Sequence, residues 1–342
     1  MFNPSRLKVA RQRLAWTLTR LASESGVSLR SLTSYENGKT PSDEILFKLA
    51  NTLAVPPEFF ERESVEPVPV EAASFRKLSK TTSTRRDAVL ASASLAVEFF
   101  SVIEQKFKLP ESSVPSLDKF SPELAAEFVR RRWNLGDRPI TNMVHLLESN
   151  GVRVAAIQHS FVDVDAFCFI RDSTPYVFLN TSKSAERQRF DLAHELAHLV
   201  LHSEQDMELS TSKERESEAN RFAASFLMPR SAVLTQSMRS ASIARILAAR
   251  SYWKVSAMAM THRLHELHLL SDWQYRNTCM NFSDQGYRSS EPGGIIPETS
   301  QLLRKVMFGP TGKVSIRDAA ASLSLHQNDI RDFVRDLVPV AA

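Results

Sequence analysis

Cysteine is scarce in this sequence: Cys168 and Cys279 are the only two among 342 residues, and they lie far apart. Two isolated cysteines do not provide the disulfide framework of a small secreted protein. Free cysteine behaves as a small apolar side chain and is commonly buried. We therefore expect two reduced thiols, one of them in the core of a β-strand.

Long apolar runs are missing as well. The N-terminal residues 1–8 lack the apolar stretch of a signal peptide. No segment approaches the roughly 18 uninterrupted apolar residues that indicate a transmembrane helix. A long internal repeat and low-complexity tracts are also absent. We expect a soluble, cytoplasmic protein without a membrane partner.

What is present is an ordinary globular composition, with 43% hydrophobic and 24% charged residues. A chain of this length can form two or three domains with a sizeable core. The net charge is only +4, but residues 1–40 alone contain seven Lys or Arg and two acidic residues. This concentration of positive charge at the N-terminus is typical of phosphate binding.

The same basic segment has the spacing of a helix-turn-helix. Thr17 and Ser28 are placed to cap two short helices over residues 17–24 and 28–35, joined across Gly26. In this motif the second helix enters the major groove through its N-terminal residues. A small helical bundle with a basic surface is the less favoured alternative.

Candidate DNA contacts follow from that geometry. Arg30 can read guanine or hold a phosphate, the exposed serines lie on the second helix, and two further side chains are placed for contacts to the DNA backbone. The predicted set is Arg11, Thr19, Ser28, Arg30, Ser31 and Ser34.

The rest of the chain changes from helical to strand periodicity and back. Helices are predicted over 84–108, 121–135 and 141–150, and short apolar segments at 152–156, 166–170 and 176–179 predict a small antiparallel sheet. We expect residues 176–180 to be either an edge strand that pairs with an extended peptide or a core strand. Helices resume near Ala185, continue to Leu270 and return in the tail over 299–339.

The segment His194-Glu195-Leu196-Ala197-His198 carries the strongest chemical signal. Histidines at i and i+4 lie on one helical face and can share one zinc ion, while the glutamate acts as general base on the water that the metal activates. Such a pattern occurs by chance in on the order of one per cent of chains of this length, so a third ligand is needed to support it.

A second helix pattern over Lys213–Leu227 offers that ligand. At about 100° per residue, Glu216 lies on the apolar face, whereas Glu218 points to the polar side. A carboxylate on an apolar face is costly unless it is paired or bound to metal, which favours Glu216. Asn220, one turn later, is predicted to orient a ligand, and His202 is predicted to lie just outside the ligand set.

Several of these segments resemble known families. Residues 14–60, including Tyr35-Glu36-Asn37-Gly38-Lys39, resemble the lambda-repressor-like helix-turn-helix of the XRE family. The His194–His198 motif, the segment from Glu216 to Pro229, and Trp253-Lys254-Val255-Ser256 resemble the ImmA/IrrE metallopeptidases. Ala197 stands where that family usually has glycine, a change that keeps the helix and removes no ligand.

The resemblance implies a bacterial regulator that cleaves a repressor or antitoxin-like protein and thereby relieves transcriptional repression. It implies zinc as the metal, with manganese as an alternative, and a DNA operator bound as a dimer on two half-sites. The competing hypothesis is a DNA-binding repressor or antitoxin whose peptidase-like domain only senses metal or binds a partner. A housekeeping peptidase is disfavoured by the DNA-binding segment.

The predicted fold is mainly α with a small α+β domain. We expect a helix-turn-helix domain at 1–62, a linker at 63–83, a zincin-like metallopeptidase domain with a helical lead-in at 84–290, and a helical extension at 291–342. Within the extension, Ser315–Leu337 is compatible with a second helix-turn-helix, although a plain capping pair of helices is the preferred interpretation.

Overall fold

The computed structural model describes residues 1–68, 82–161, 164–202, 212–288, 290–310 and 313–338. The chain divides into two compact units, one containing residues 1–109, 155–164 and 301–342 and the other containing 110–154 and 165–300. Helices predominate and one small sheet is present, so the predicted α-rich fold with a small α+β domain is confirmed. In the described ranges, no helix has both the length and the apolarity needed to cross a membrane.

The first unit begins with the predicted helix pair. Its first helices are α1 (Pro4–Gln12), α2 (Leu18–Ser25), α3 (Leu29–Glu36) and α4 (Asp43–Leu53), followed by a 3₁₀ turn at Pro57–Glu61. The side chain of Thr17 accepts a hydrogen bond from the backbone N–H of Arg20, and Ser28 accepts one from Ser31, as expected of N-caps. Gly26 ends α2 with a φ of 63°, a left-handed conformation that glycine adopts without strain.

The remaining helices of the first unit are α5 (Ser83–Glu104), α14 (Gln301–Phe308), α15 (Ile316–Leu323) and α16 (Gln327–Val334). The long helix α5 packs against α1, α15 and α16, and the Phe99 and Phe333 rings lie 6.0 Å apart between centroids. The sequence assigned the segment of α5 to the lead-in of the peptidase domain, whereas the compact unit that contains it is the one with the N-terminal helices. The predicted domain boundaries stay a prediction.

A three-stranded sheet is formed by β1 (Arg153–Ala156), β2 (Ala166–Arg171) and β3 (Thr174–Leu179), in the order β1-β3-β2. β2 and β3 pair antiparallel through a tight turn in which Asp172 and Ser173 have φ values of 49° and 63°, as in a two-residue hairpin. β3 is thus the central strand of the described sheet. The interpretation of this segment as a peptide-binding edge was wrong, because both of its sides are already hydrogen-bonded.

The second unit also contains α6 (Pro122–Arg132), α7 (Met143–Ser149), α8 (Ala185–Leu201), α9 (Ser212–Leu227), α10 (Arg230–Thr235), α11 (Ile243–Trp253), α12 (Ala257–Glu266) and α13 (Asp272–Asp284). Ser184 caps α8 by accepting a hydrogen bond from the N–H of Arg187. Leu192 and Leu196 of α8 are fully buried, as are Phe222 and Ala223 of α9. Because small and large side chains alternate on these faces, α8 packs closely along α9 and against the hairpin.

A buried arginine fixes the first half of α8. The guanidinium of Arg189 donates hydrogen bonds to the backbone carbonyls of Lys254 and Ile140, each at 2.9 Å, and pairs with the carboxylate of Glu298. Glu298 in turn accepts a 2.6 Å hydrogen bond from the N–H of Met143 at the start of α7. Since a buried charge is tolerated only when it is fully paired, this network holds α8 at one position relative to α7 and the loop after α11.

Candidate metal centre and DNA-binding helix

Three side chains from α8 and α9 converge. The Nε2 atoms of His194 and His198 lie 3.1 Å apart, and each is 3.6 Å from an oxygen of Glu216. All three side chains are at most 14% exposed. The structure therefore brings together the three residues that the sequence proposed as ligands, one helical turn apart on α8 and opposite them on α9.

The separations of these atoms fit a tetrahedral metal ion. Zinc binds imidazole nitrogen and carboxylate oxygen at about 2.0–2.2 Å, so tetrahedral ligands lie about 3.3 Å from one another. The observed separations of 3.1 to 3.6 Å bracket that value. Among the described residues, this trio has the donor types and the convergence that a zinc site requires.

Both histidines are held in the form that binds metal. Burial, followed by the neighbouring His198, lowers the pKa of His194 to about 3. Burial, followed by His202 and Arg215, lowers the pKa of His198 to about 3. The two imidazoles are consequently neutral near pH 7, and a neutral imidazole keeps a lone pair for a metal ion.

Hydrogen bonds on the far side of each ring select the nitrogen that carries the lone pair. Nδ1 of His194 lies 3.1 Å from the side-chain oxygen of Asn220, which accepts a hydrogen bond from the Nδ1–H and leaves Nε2 without a proton. Asn220 therefore contacts His194 on the side of the ring opposite Nε2, and its role in orienting the ligand stays a prediction. The assignment of the proton follows from the partners, since an amide oxygen only accepts.

The ring of His198 is oriented by a series of contacts that runs from Glu218 through His202. The Glu218 carboxylate lies 3.0 Å from Nε2 of His202, and Nδ1 of His202 lies 2.9 Å from Nδ1 of His198. A carboxylate only accepts, so the Nε2–H of His202 donates to Glu218, and in the tautomer of His198 that binds metal through Nε2 its Nδ1–H donates to Nδ1 of His202. Nε2 of His198 is then left unprotonated toward His194 and Glu216.

Glu195 and Cys168 lie next to this cluster. Glu195 follows His194 directly on α8 and is 4% exposed. The buried thiol of Cys168 on β2 donates to the backbone carbonyl of Glu195 at 3.4 Å, which ties the hairpin to the middle of α8. Cys168 lies in a strand core, as expected, and within the described part of the chain neither Cys168 nor Cys279 forms a disulfide.

The predicted DNA-contacting residues divide into two groups. Thr19, Ser28 and Arg30 are exposed, and Ser31 and Ser34 are partly exposed on α3. Ser28 is also occupied as the cap of α3, with its hydroxyl 2.8 Å from that of Ser31.

Arg11 belongs to the second group. Its guanidinium donates to both carboxylate oxygens of Glu36, at 2.7 and 3.0 Å, and to the carbonyl of Trp16 at 2.7 Å. The side chain is only 11% exposed. The structure therefore argues against a phosphate contact by Arg11 and gives it a structural role that joins α1 to the end of α3.

Two family models match this chain. Residues 7–60 match a model described as helix-turn-helix, and residues 147–265 match the IrrE N-terminal-like domain. The chain carries an XRE-type helix-turn-helix domain followed by an ImmA/IrrE-like domain. No curated protein matches the sequence.

The match to the ImmA/IrrE-like domain spans all of α8 and α9, and therefore includes His194, Glu195, His198 and Glu216. The match to the helix-turn-helix domain spans α2 and α3. Neither range includes residues 61–146 or 266–342, so α5 and the tail helices lie outside both.

Sequence reasoning missed one member of the metal centre. The sequence placed Glu218 on the polar face of α9, and its side chain is indeed 40% exposed. The contact between Glu218 and His202 was not predicted. A signal was available, because His202 stands four residues after His198 and so lies one turn from it on the same side of α8. His202 lies about 80° from His194 around the helix axis, and its position outside the ligand set stays a prediction.

Proposed function

We propose that this chain is a DNA-binding transcriptional regulator with zinc-dependent endopeptidase activity. The observation that supports the peptidase activity is the convergence of His194, His198 and Glu216 beside the buried Glu195. A site that only served structure would need a fourth protein ligand, whereas three ligands leave one position for substrate or water. The helix-turn-helix domain supports the DNA-binding part.

The chemistry assigned to each residue follows from its position. Zinc held by His194, His198 and Glu216 would act as a Lewis acid that polarises a scissile carbonyl and makes water more acidic. Glu195 accepts the proton of the attacking water and passes it to the leaving amine. Asn220 and the pair of His202 and Glu218 keep the two imidazoles oriented throughout.

The substrate that we propose is a repressor or antitoxin-like regulator. A DNA-binding domain in the same chain restricts the protein to genomic sites, and a regulator bound at such a site is then the protein at highest local concentration. Cleavage of that regulator would relieve repression. Manganese is the alternative metal, since its carboxylate and imidazole ligands overlap with those of zinc.

The test replaces Glu195 with Gln in the full chain. We expect the variant to retain metal and to lose cleavage, because the amide cannot accept a proton while the three ligands are unchanged. Cellular proteomes of wild type and variant are compared, and the substrate is the protein that accumulates intact with the variant. Glu127→Gln, an exposed acid on α6, is the matched control and should behave as wild type.

Two results would contradict this proposal. Persistent metal-dependent cleavage by the Glu195→Gln variant would remove Glu195 from the mechanism. Metal binding without any change in the proteome would favour the other hypothesis, in which the ImmA/IrrE-like domain senses metal or binds a partner without proteolysis.

A further inference from the structure

The two tail helices α15 and α16 repeat the geometry of α2 and α3. Both pairs consist of two eight-residue helices. In each pair the first helix ends on a residue in the left-handed conformation, Gly26 with a φ of 63° and Ser324 with a φ of 52°. Two residues later, Ser28 and His326 occupy the N-cap position of the second helix. The turn therefore has the same length and the same backbone reversal.

The buried positions of the two pairs also coincide. Aligned through the left-handed residue, four positions are buried in both pairs: Leu21 with Ala319, Ser25 with Leu323, Val27 with Leu325, and Leu32 with Ile330. These positions are the inner face of the first helix, the turn, and the inner face of the second helix. Two helices that only covered a hydrophobic core would not need to match α2 and α3 in which residues of the helices and of the turn are buried.

A third helix completes the core of the tail pair, as a helix-turn-helix requires. α5 contacts both α15 and α16, with Phe99 against Phe333. Asp329 in the first turn of α16 accepts a 2.9 Å hydrogen bond from the guanidinium of Arg13, which also donates to the carbonyls of Leu53 and Ala54. The tail pair is thereby fixed to the same unit as the N-terminal helix-turn-helix.

The outer face of α16 carries side chains that can read base edges. Gln327, Asn328 and Arg331 are exposed in its first turns. Arg331 donates to the side-chain oxygens of Asn328 at 3.0 Å and of Gln327 at 3.4 Å. In the major groove, Asn and Gln pair with adenine and Arg pairs with guanine. Arg331 thus links the side chains of Gln327 and Asn328 on one exposed face.

We propose that α15 and α16 form a second helix-turn-helix, which reads duplex DNA through the exposed face of α16. The inference rests on the DNA-binding part of the proposed function and adds a second reading helix to it. The two elements differ in charge. Residues 301–338 contain six Lys or Arg and four Asp, whereas residues 1–40 contain seven Lys or Arg and only two acidic residues. The N-terminal element thus supplies most of the attraction to phosphate, and the tail adds base contacts.

The experiment uses the full chain and a randomised library of duplex DNA, from which bound sequences are selected and footprinted. Arg30→Ala changes the first element, and the double variant Asn328→Ala with Arg331→Ala changes the second. All three side chains are exposed, so folding should be unaffected, which is checked by thermal unfolding. Arg131→Ala, at an exposed arginine of the other compact unit, controls for the loss of one positive charge.

We expect the wild type to select a site with two unlike blocks of conserved bases. The double variant should bind that site at least about 5- to 100-fold more weakly, the range for losing one good base contact, and should lose preference in one block only. Arg30→Ala should lose preference in the other block. A symmetric dimer that reads DNA through α3 alone would instead give two identical half-sites, both affected by Arg30→Ala.

The proposal is overturned if the double variant binds within twofold of wild type and selects the same bases while Arg30→Ala abolishes selection. The tail pair would then be a structural cap on α5, and the DNA-binding function of the N-terminal domain would stand. If the wild type selects no duplex sequence, both the DNA-binding function and this inference fail.

Discussion

Replacing Glu216 and Glu218 one at a time with Gln separates a metal ligand from a residue that only orients one. The two carboxylates stand two residues apart on α9 but differ in their contacts. Glu216 lies 3.6 Å from both His194 and His198. Glu218 contacts His202 at 3.0 Å and is 40% exposed. The two substitutions are chemically identical, so each controls for the other.

The expected magnitudes follow from these contacts. Removing a group that orients a ligand from behind typically weakens metal binding about 10- to 100-fold, or about 1.4 to 2.7 kcal/mol. Glu218 acts through one intervening histidine and is partly hydrated, which places its substitution near the tenfold end. Glu216→Gln replaces the carboxylate of the trio with a neutral, weaker oxygen donor, and we expect a loss above about 100-fold.

Zinc affinity is measured on full-length, metal-free protein by competition with a chromophoric chelator at fixed pH and ionic strength. Thermal unfolding with and without zinc gives a second measurement of affinity. A ligand that binds only the folded state raises the free energy of unfolding by RT ln(1 + [L]/Kd). Unfolding of the metal-free variants shows whether either substitution disturbs the fold.

The reasoning is refuted if Glu218→Gln weakens zinc binding as much as Glu216→Gln or more. That order would make Glu218 the ligand and would contradict both the helical-face argument and the observed contacts. Equal affinity of wild type and both variants would show that zinc does not bind at this cluster.

Two further predictions concern stability. Arg13→Ala leaves the carboxylate of Asp329 buried without its partner. We expect the free energy of unfolding, measured by urea denaturation, to fall by about 3–5 kcal/mol. A decrease below about 1 kcal/mol would mean that water solvates the ion pair. Gly151→Ala should be destabilising because φ is +84° and the added Cβ would lie 2.3 Å from the carbonyl oxygen of Glu111. Gly286 has the same φ with nothing within 4 Å, so Gly286→Ala measures the backbone strain alone, and equal thermal shifts for both variants would contradict the predicted clash.

Local features of this protein were readable from the sequence. The caps Thr17 and Ser28 and the break at Gly26 each depend on hydrogen bonds within four residues, and the structure confirms them. Ser42 stands at the N-cap of α4 but makes no side-chain cap hydrogen bond. The spacing of His194 and His198 likewise fixes their shared face, because one helical turn is a local property.

The prediction of Glu216 as a ligand used the free-energy cost of burying a carboxylate in addition to helical spacing. A carboxylate on the apolar face of a helix requires a partner. This requirement favours Glu216 over Glu218 without any knowledge of the contacts between α8 and α9. The distance between Glu216 and the two histidines did not follow from the sequence, since the residues between α8 and α9 do not determine the angle at which the two helices pack.

Tertiary structure alone decided the features that depend on pairing between distant segments. The central position of β3, which excludes it as a peptide-binding edge, comes from the order β1-β3-β2. The engagement of Arg11 by Glu36 joins residues 25 positions apart. The packing of α15 and α16 on α5 joins segments more than 200 residues apart. Sequence periodicity records which face of an element is apolar, but the identity of the surface that covers this face is set by the packing of the whole chain.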